Sequence, residues 1–355
     1  MNRVLSGSEV AESRTPAMRQ KQKNNRKLAP PVVIGLRQSY KLLFHEPWWL
    51  SAAAGAQHVE VSAVRGEHLS GRLSFMMTKS RLGFRVLSMP SFTHVLGPMI
   101  ESSNGKCHKR RANRLSLIRD LLDQLPGYDL CQFAMDPSLD DGLALGDGLA
   151  FQEHGFKIST QYTFRVHCQS SVDELWAAMD SKVRQHIRRA EEKYTITEIN
   201  DPQYFIDFYL RNIEKRGRQS YFEFERFPIL FAECNARSCG IILAALLPDG
   251  SPAAMTFLVW GHGVLYYTLS TRVPDASESG CVNLLIWSAI KRANALGLIC
   301  DLDGIVSRGI ARFFGGYGGE IGVRLVASHI KPLYGTIKSI VTRFDPVATD
   351  SSRFS

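Results

Sequence analysis

The chain has 355 residues, of which 45% are hydrophobic and 22% charged, and its formal net charge is +9. This length accommodates two domains, and the composition is that of a globular protein. No run of about 18 apolar residues occurs, and no apolar signal-peptide core lies at the N-terminus, so we expect no membrane span and a cytoplasmic location.

The positive charge is concentrated at the N-terminus. Residues 1–31 contain seven basic and two acidic residues and few apolar ones, a composition typical of disorder. We therefore predict a disordered basic tail over residues 1–35. This tail either solubilises the chain or tethers it to an anionic surface such as RNA or acidic lipid.

The cysteines give no sign of a metal site or a disulfide framework. There are seven of them, an odd number, and none forms a C-x-x-C pair. We expect free thiols and no bound metal.

Residues 36–168 form the first predicted domain. Three strand-like runs, 58–64, 68–77 and 83–89, are separated by short polar turns, a pattern that predicts an antiparallel meander. The later predicted elements are a helix with its apolar residues at 115–125 and buried strands at 128–135 and 164–167.

Residues 169–330 form the second predicted domain, followed by a C-terminal helix and tail at 331–355. The sequence Ser171-Val172-Asp173-Glu174 fits a capping box, and we predict one helix from there to Ala190. The polar faces of that helix carry Lys182, Arg184, Arg188 and Arg189. These cations are either an ordinary solvated face or contacts for a phosphate or carboxylate, because arginine forks match those groups.

The second domain then repeats the element order of the first: helix, three-strand meander, loop, helix, strand. Its predicted elements are helices after Asp201-Pro202 and at 227–236, strands at 240–247, 252–260 and 264–271, a helix at 282–296 and a strand at 298–302. We therefore predict an α/β (α+β) fold with two tandem domains side by side. Each is a mainly antiparallel mixed sheet flanked by helices.

The stretch from Gly280 to Gly319 contains most of the sequence features that point to a ligand site. Its helix places Val282, Leu285, Ile286, Ala289, Ile290, Ala293 and Leu296 on one face, and Gly297 ends it. The strand that follows ends at Asp303-Gly304, and ligands collect at strand ends of this kind in α/β sheets. Five glycines then follow between Gly309 and Gly319, and they permit close approach of a ligand to the backbone.

Four stretches of the second half resemble the FemAB-like acyltransferases of the GNAT superfamily, including bacterial acetyltransferase-like proteins linked to cell-envelope and exopolysaccharide synthesis. They are Lys182-x-Arg184-x-x-Ile187-Arg188-Arg189-Ala190, Tyr266-Tyr267-x-Leu269-Ser270, Asn283-Leu284-Leu285-Ile286-Trp287-x-Ala289-Ile290, and Asp301-Leu302-x-Gly304 with Gly309-Ile310-x-x-Phe313-x-x-x-Tyr317-Gly318-Gly319.

The resemblance implies two GNAT-like domains and transfer of an acyl group to an amine. We expect acyl-CoA, in particular acetyl-CoA, as donor, and a small-molecule or sugar-linked acceptor such as a cell-envelope or polysaccharide precursor. An aminoacyl-tRNA donor, as in FemAB proteins proper, is the less favoured alternative. Phe314 stands where the family commonly has a lysine, and only 277–282 approaches the pyrophosphate loop of GNAT proteins. A catalytically inactive binding protein is therefore a further alternative, and RNA binding through the basic helices ranks last.

Acyl transfer needs a base for the amine proton and donors for the carbonyl oxygen. By its position Asp303 is the candidate base, or else an aspartate that caps a turn. Tyr267 and Tyr317 are candidate proton donors, although Tyr267 equally fits the core. The sequence contains no H-E-x-x-H, G-x-S-x-G or Walker motif, which argues against zinc proteases, serine hydrolases and P-loop enzymes.

Binding roles complete the predicted site. The resemblance implies Arg184, Arg188 and Lys182 as substrate contacts, and the basic segment adds Arg308 and Arg312. For the cofactor we predict contacts from Gly280, Asn283, Gly315, Gly316 and Gly318, because helix N-termini and glycine-rich loops offer free N–H groups to phosphate.

Overall fold

The structure is a computed structural model that describes residues 42–80, 82–101, 105–137, 146–218, 220, 222–276, 280–305 and 307–337. The tail predicted at 1–35 lies outside these ranges. So does most of the predicted C-terminal helix, of which the described part, 332–337, is helical.

The strands are β1 (His58–Arg65), β2 (His68–Lys79), β3 (Arg85–Ser88), β4 (Met99–Ile100), β5 (Leu130–Met135), β6 (Lys157–His167), β7 (Thr195–Ile199), β8 (Gly240–Leu246), β9 (Pro252–Gly261), β10 (Val264–Arg272), β11 (Ile299–Gly304) and β12 (Glu320–Ile330). The helices are α1 (Pro47–Ala54), α2 (Cys107–Leu122), α3 (Asp147–Glu153), α4 (Val172–Ala178), α5 (Ser181–Glu191), α6 (Pro202–Glu214), α7 (Phe227–Ala236), α8 (Cys281–Ala295) and α9 (Arg308–Gly315).

All these strands belong to one 12-stranded sheet. Its order is β1-β2-β3-β5-β12-β6-β11-β10-β9-β8-β7, with β4 paired to β2. Among the described residues, the parallel pairs are β3–β5 and β10–β11, and every other pair is antiparallel. The predicted mainly antiparallel mixed sheet is therefore confirmed.

Both halves contribute strands in the same pattern. Each supplies an antiparallel meander, β1-β2-β3 or β8-β9-β10, and then a parallel partner, β5 or β11. A helix, α2 or α8, connects each meander to its parallel partner, as expected for a parallel crossover.

The last strand of each half pairs with the opposite half. Strand β6 pairs with β11, and β12 pairs with β5. Strands β6 and β12 also pair with each other, from Glu320 opposite Arg165 to Ser328 opposite Lys157. Because the sheet runs across the boundary, the division into domains 36–168 and 169–330 stays a prediction.

Helix α8 shows how the sequence pattern sets the packing. Its predicted apolar face is buried from Leu285 to Ala293, against the sheet face that carries α4 and α5. Gly297 follows the helix with a φ of 67°, the left-handed conformation that glycine adopts readily at a helix end. The prediction was wrong at Leu296, which is 45% exposed because the helix has already ended.

The helix predicted from Ser171 to Ala190 is two helices, so that prediction was wrong. The capping box forms, with Ser171 Oγ accepting from Glu174 N, but Met179 is extended with a ψ of 150°. The backbone N–H of Asp180 instead donates to the carbonyl of Gly316 at 2.9 Å. This tertiary bond separates α4 from α5.

The glycine-rich segment between Gly309 and Gly319 contains a helix and borders a strand that were not predicted from the sequence. Residues 308–315 form α9, which begins after Ser307, whose side chain accepts from Ile310 N. Strand β12 was not predicted, and β6 is longer than the predicted 164–167. The glycine-rich segment that remains is therefore the short turn between α9 and β12.

All seven cysteines are free thiols, as predicted. Over the described ranges, no helix is long and apolar enough to cross a membrane. Among the same residues, no group of three or more His, Cys, Asp or Glu side chains is arranged so that it could hold a metal ion.

Candidate active site

Strands β10 and β11 separate at a defined point. Their parallel pairing joins Val264–Tyr266 to Ile299–Asp301 and stops there, although both strands continue. Strand β10 has a bulge at Thr268, and β11 shifts register between Asp301 and Gly304. A bulge removes a residue from ladder pairing and bends its strand, so a gap opens between the two strands beyond Tyr266.

A basic cavity lies at the far end of β10. We call it the arginine pocket, a space of about 510 Å³ that is lined by Arg216, Arg218, Ser270, Thr271, Arg272 and Val282. Val282 belongs to the first turn of α8, where backbone N–H groups lack intrahelical acceptors and the helix dipole is positive.

Three arginine side chains line the arginine pocket. Among the described residues, no ion pair is found for Arg216, Arg218 or Arg272. Arg216 Nη2 donates to the carbonyl of Arg272 at 2.5 Å. Burial, together with Arg272 and Arg218 nearby, lowers the pKa of Arg216 from its ordinary value. An anion bound here would relieve that repulsion.

Thr271 adds a buried hydroxyl to this pocket. Its side chain is 4% exposed, and no hydrogen-bond partner for Oγ1 is found in the described part of the chain. Buried hydroxyls are normally hydrogen-bonded, so the orphaned Oγ1 is a second indication that the pocket receives a polar ligand.

A buried group of charges lies where β5, β12, β6 and β11 meet. We call Asp136, Arg165, Asp301, Asp303 and Arg324 the charge cluster. Arg165 Nε donates to Asp301 at 2.9 Å and also pairs with Asp136. Arg324 donates to Asp301 at 3.0 Å and to Asp303 at 2.9 Å. Three carboxylates thus face two guanidinium groups.

Asp303 occupies an unusual position in this cluster. Its φ is 72°, which is uncommon for a residue other than glycine and is held only when neighbours determine it. Its N–H donates to Asp301 Oδ1 at 2.9 Å, and its carbonyl accepts from Thr163 Oγ1 at 3.0 Å. Its carboxylate lies 2.8 Å from His94 Nδ1.

The charges around Asp303 determine its protonation state. Burial alone would raise the pKa of the Asp303 carboxyl, but His94 and Arg324 hold it below its ordinary value. Burial likewise opposes ionisation of Asp301, whose pKa Arg324 and Arg165 lower strongly. Both aspartates are therefore carboxylates at neutral pH and weak proton acceptors.

The two predicted tyrosines lie on the opposite face of the sheet, in the core around α8. Tyr267 OH donates to Ser270 Oγ at 2.9 Å, and burial raises its pKa to about 12. Tyr317 OH accepts from Asn283 Nδ2 at 2.9 Å, and burial raises its pKa well above the ordinary value. The structure thus joins Asn283 to Tyr317 and does not bring Asp303 into contact with either tyrosine.

The predicted cofactor glycines differ in what surrounds them. A Cβ at Gly280 would lie 2.6 Å from the His186 carbonyl, and one at Gly318 would lie 2.8 Å from the Ala178 carbonyl. A Cβ at Gly316 would lie 2.6 Å from Val183. These glycines permit close packing of the chain on itself, whereas Gly315 is exposed and faces open space.

The predicted substrate arginines lie against α4. Arg184 donates to the Ala177 carbonyl at 3.3 Å, and the Arg188 guanidinium stacks 5.5 Å from the Trp176 ring centre. Lys182 is exposed, as are Arg308 and Arg312 on α9. Neither the arginine pocket nor the charge cluster includes these residues.

The family comparison covers the part of the chain that contains the strand gap and the arginine pocket. Residues 161–305 match the family model described as an acetyltransferase (GNAT) domain. This segment is therefore similar to GNAT acetyltransferase domains over about two fifths of the chain. No curated protein matches the chain at a significant level.

Solved structures share the fold over most of the chain. FemX aligns with a TM-score of 0.59 and 12% identity, covering 83% of this chain and 94% of FemX. The C-terminal domain of a putative lysylphosphatidylglycerol synthetase from Agrobacterium fabrum gives 0.52 and 12%, covering 83% and 91%. A tandem GNAT protein from the clavulanic acid biosynthesis pathway gives 0.50 and 9%, covering 83% and 90%. The predicted tandem GNAT-like fold is therefore confirmed.

Sequence reasoning missed most of the charged residues that the fold brings together. Arg165 and Arg324 each interrupt an apolar, strand-like run, and an arginine in such a run indicates a buried partner. Asp136 directly follows a predicted strand. His94 lies in a Pro- and Gly-bounded segment with no pattern of its own, so no local signal pointed to it.

Proposed function

We propose that the chain is an N-acyltransferase that takes an acyl group, in the simplest case acetyl, from acyl-CoA and transfers it to an amine. The observation that carries this proposal is the arginine pocket at the first turn of α8, beside the gap between β10 and β11. A pocket lined by three arginines suits the phosphates of a donor. The adjoining gap between β10 and β11 suits the narrow part of acyl-CoA that links its phosphates to the acyl group.

In the proposed reaction, the protein aligns the two substrates and binds their charged groups. The amine nitrogen attacks the acyl carbonyl carbon, the new C–N bond forms, the C–S bond breaks, and CoA leaves as the thiol. Thr268 lies at the bulge and is not paired in the β9–β10 ladder. Its backbone N–H is therefore the group proposed to donate to the acyl carbonyl oxygen. Arg216, Arg218 and Arg272 hold the donor, and its alignment lowers the entropic part of the barrier.

The acceptor is proposed from the resemblance to FemAB-like proteins. An amine on a cell-envelope or polysaccharide precursor fits that family, and the charge cluster region, where both halves of the chain meet, offers the polar groups to receive it. Asp303 belongs to this region. For Tyr317 and Tyr267 a supporting role in the core around α8 agrees better with their raised pKa values.

An aminoacyl-tRNA donor is the second candidate. Arg211 and Lys215 line a smaller cavity of about 180 Å³ with Phe208, Asn212, Pro252 and Val273, next to the arginine pocket along α6. This longer basic surface favours a donor with several phosphates, as in a nucleic acid.

Calorimetric titration with acetyl-CoA tests the donor. We expect the wild-type protein to bind, and Arg216→Ala and Arg218→Ala each to lose about 1.5–3 kcal/mol of binding free energy, since each removes a charge-assisted contact. The control is Arg189→Ala, an exposed arginine of α5 outside the pocket. Binding of aminoacyl-tRNA but not of acetyl-CoA would support the second candidate. Binding of neither would leave the fold with a non-enzymatic binding role.

A further inference from the structure

A histidine lies next to the charge cluster. His94 Nδ1 lies 2.8 Å from Asp303 Oδ1, and Asp303 also accepts from Arg324 at 2.9 Å. A proton gained by the imidazole would therefore lie beside a carboxylate in a largely buried site, where charges interact strongly.

We propose that His94 accepts the amine proton during acyl transfer and that Asp303 is the positioning residue that orients its imidazole. This inference rests on the proposed acyltransferase function and adds to it the group that makes the amine reactive.

The position of His94 agrees with this role. Its ring lies 6.3 Å, centre to centre, from the ring of Tyr266, the last β10 residue paired with β11. Asp303 lies two residues beyond the last paired residue of β11, Asp301. The His94–Asp303 pair therefore lies at the point where β10 and β11 begin to separate, on the sheet face opposite to Tyr267 and Tyr317.

The imidazole also has a free nitrogen. His94 is 8% exposed, and within the described residues no hydrogen bond of its Nε2 is found. Because Nδ1 lies 2.8 Å from the Asp303 carboxylate, Nε2 is the nitrogen that can receive a proton, as in other aspartate–histidine pairs. In the step, the C–N bond forms and the amine N–H bond breaks as its proton passes to Nε2. The C–S bond then breaks, and Nε2 returns the proton to the departing thiolate, so that CoA leaves as the thiol.

The surrounding side chains favour His94 over Asp303 as the acceptor. Arg324 donates to Asp303 at 2.9 Å, so the Asp303 carboxylate is already neutralised on one side. The groups that face His94 are Asp303 from β11, Tyr266 from β10 and the ring of Phe44. Arg324 reaches the His94–Asp303 pair through Asp303, so among the described residues the nearest charge to the imidazole is the Asp303 carboxylate.

Tyr266 adds a buried phenol to the same place. It is fully buried, and no hydrogen-bond partner for its hydroxyl is found in the described ranges. An orphaned hydroxyl of this kind calls for an explanation. A substrate polar atom held between Tyr266 and His94 supplies one.

The test is a steady-state assay of thiol release from acetyl-CoA, with glucosamine as the amine probe. We expect His94→Gln to lower kcat about 10²–10³-fold, the usual size of a general-base contribution, with KM for acetyl-CoA changed less than about threefold. The loss of kcat at acidic pH should also disappear in His94→Gln. His262→Gln is the matched control, because His262 pairs with Glu46 at the surface.

Two further variants separate a catalytic role from a structural one. We expect His94→Gly to regain at least tenfold activity with added imidazole, which a packing role would not produce. Asp303→Asn should lower kcat and keep its backbone conformation, because asparagine tolerates positive φ. If the wild type transfers acetyl groups and His94→Gln keeps its kcat and pH profile, His94 is not the acceptor, although the acyltransferase function stands. If the wild type neither binds nor consumes acetyl-CoA, both proposals fail.

Discussion

Arg324 Nη2 donates to Asp301 Oδ1 at 3.0 Å across an intervening strand. Arg324 belongs to β12 and Asp301 to β11, and β6 lies between them in the sheet. The arginine side chain is 3% exposed and the aspartate side chain fully buried. This bond joins β12 to the strand that borders the proposed active site.

Removing Arg324 is expected to destabilise the fold strongly. Arg324→Met leaves Asp301 and Asp303 without a main counter-charge, and breaking a buried ion pair from one side costs about 3–5 kcal/mol. Urea unfolding measures the loss, with Arg189→Ala as a surface control. A loss under about 1 kcal/mol would mean that Arg165 alone balances the cluster.

The charge cluster should also make stability fall in acid. The pKa of Asp301 is lower in the folded state than its ordinary value, so its contribution is complete above the unfolded pKa of about 3.9 and is lost as the pH falls below it. We expect Asp301→Asn to be less stable than wild type at pH 7, with the gap narrowing from about pH 5 downward. Urea unfolding at several pH values tests this, and a constant gap would contradict it.

Alanine substitutions at two glycines near the α9–β12 turn should differ in their effect on stability, because one glycine is closely packed and the other faces open space. Gly318 has a φ of 77°, and a Cβ there would lie 2.8 Å from the Ala178 carbonyl. We expect Gly318→Ala to cost about 1–3 kcal/mol, the usual range for strained backbone. Gly315→Ala is the control, since nothing lies within 4 Å of its added Cβ. Equal melting temperatures for the two variants would show that the turn adapts.

Tyr317→Phe tests whether that hydroxyl is catalytic or structural. The change removes the partner of Asn283 Nδ2, and we expect a loss of about 1 kcal/mol of stability, as for an ordinary hydrogen bond. In the acetyl-transfer assay, the kcat of Tyr317→Phe should stay within about threefold of the wild-type value, because the Tyr317 hydroxyl and His94 lie on opposite faces of the sheet. A hundredfold loss of kcat in a stable variant would restore Tyr317 as a proton donor.

Local rules predicted the local structure. The capping box at Ser171 and the Asp201-Pro202 helix start both form, because each depends on residues within one helical turn. The meanders follow from alternation and short turns. The break at Met179 could not be predicted, because it depends on a bond to Gly316, more than a hundred residues away.

The candidate site was harder to predict for the same reason. Asp303 was identified by its place at a strand end, but its partners His94 and Arg324 come from distant parts of the chain. Strand β12 escaped notice because Gly322 and Arg324 interrupt its alternation. Only the exchange of β6 and β12 between the halves brings these charges together, and no short-range pattern encodes that exchange.

The exchange of strands also affects how the protein is made. Both central partners of β6, β11 and β12, are translated more than a hundred residues after it. A nascent chain on the ribosome therefore carries β6 with no neighbour on either edge until the C-terminal segment emerges. Unpaired edges invite wrong association, and pairing across such separations is slow. The first half consequently cannot complete its part of the sheet before β11 and β12 have been synthesised.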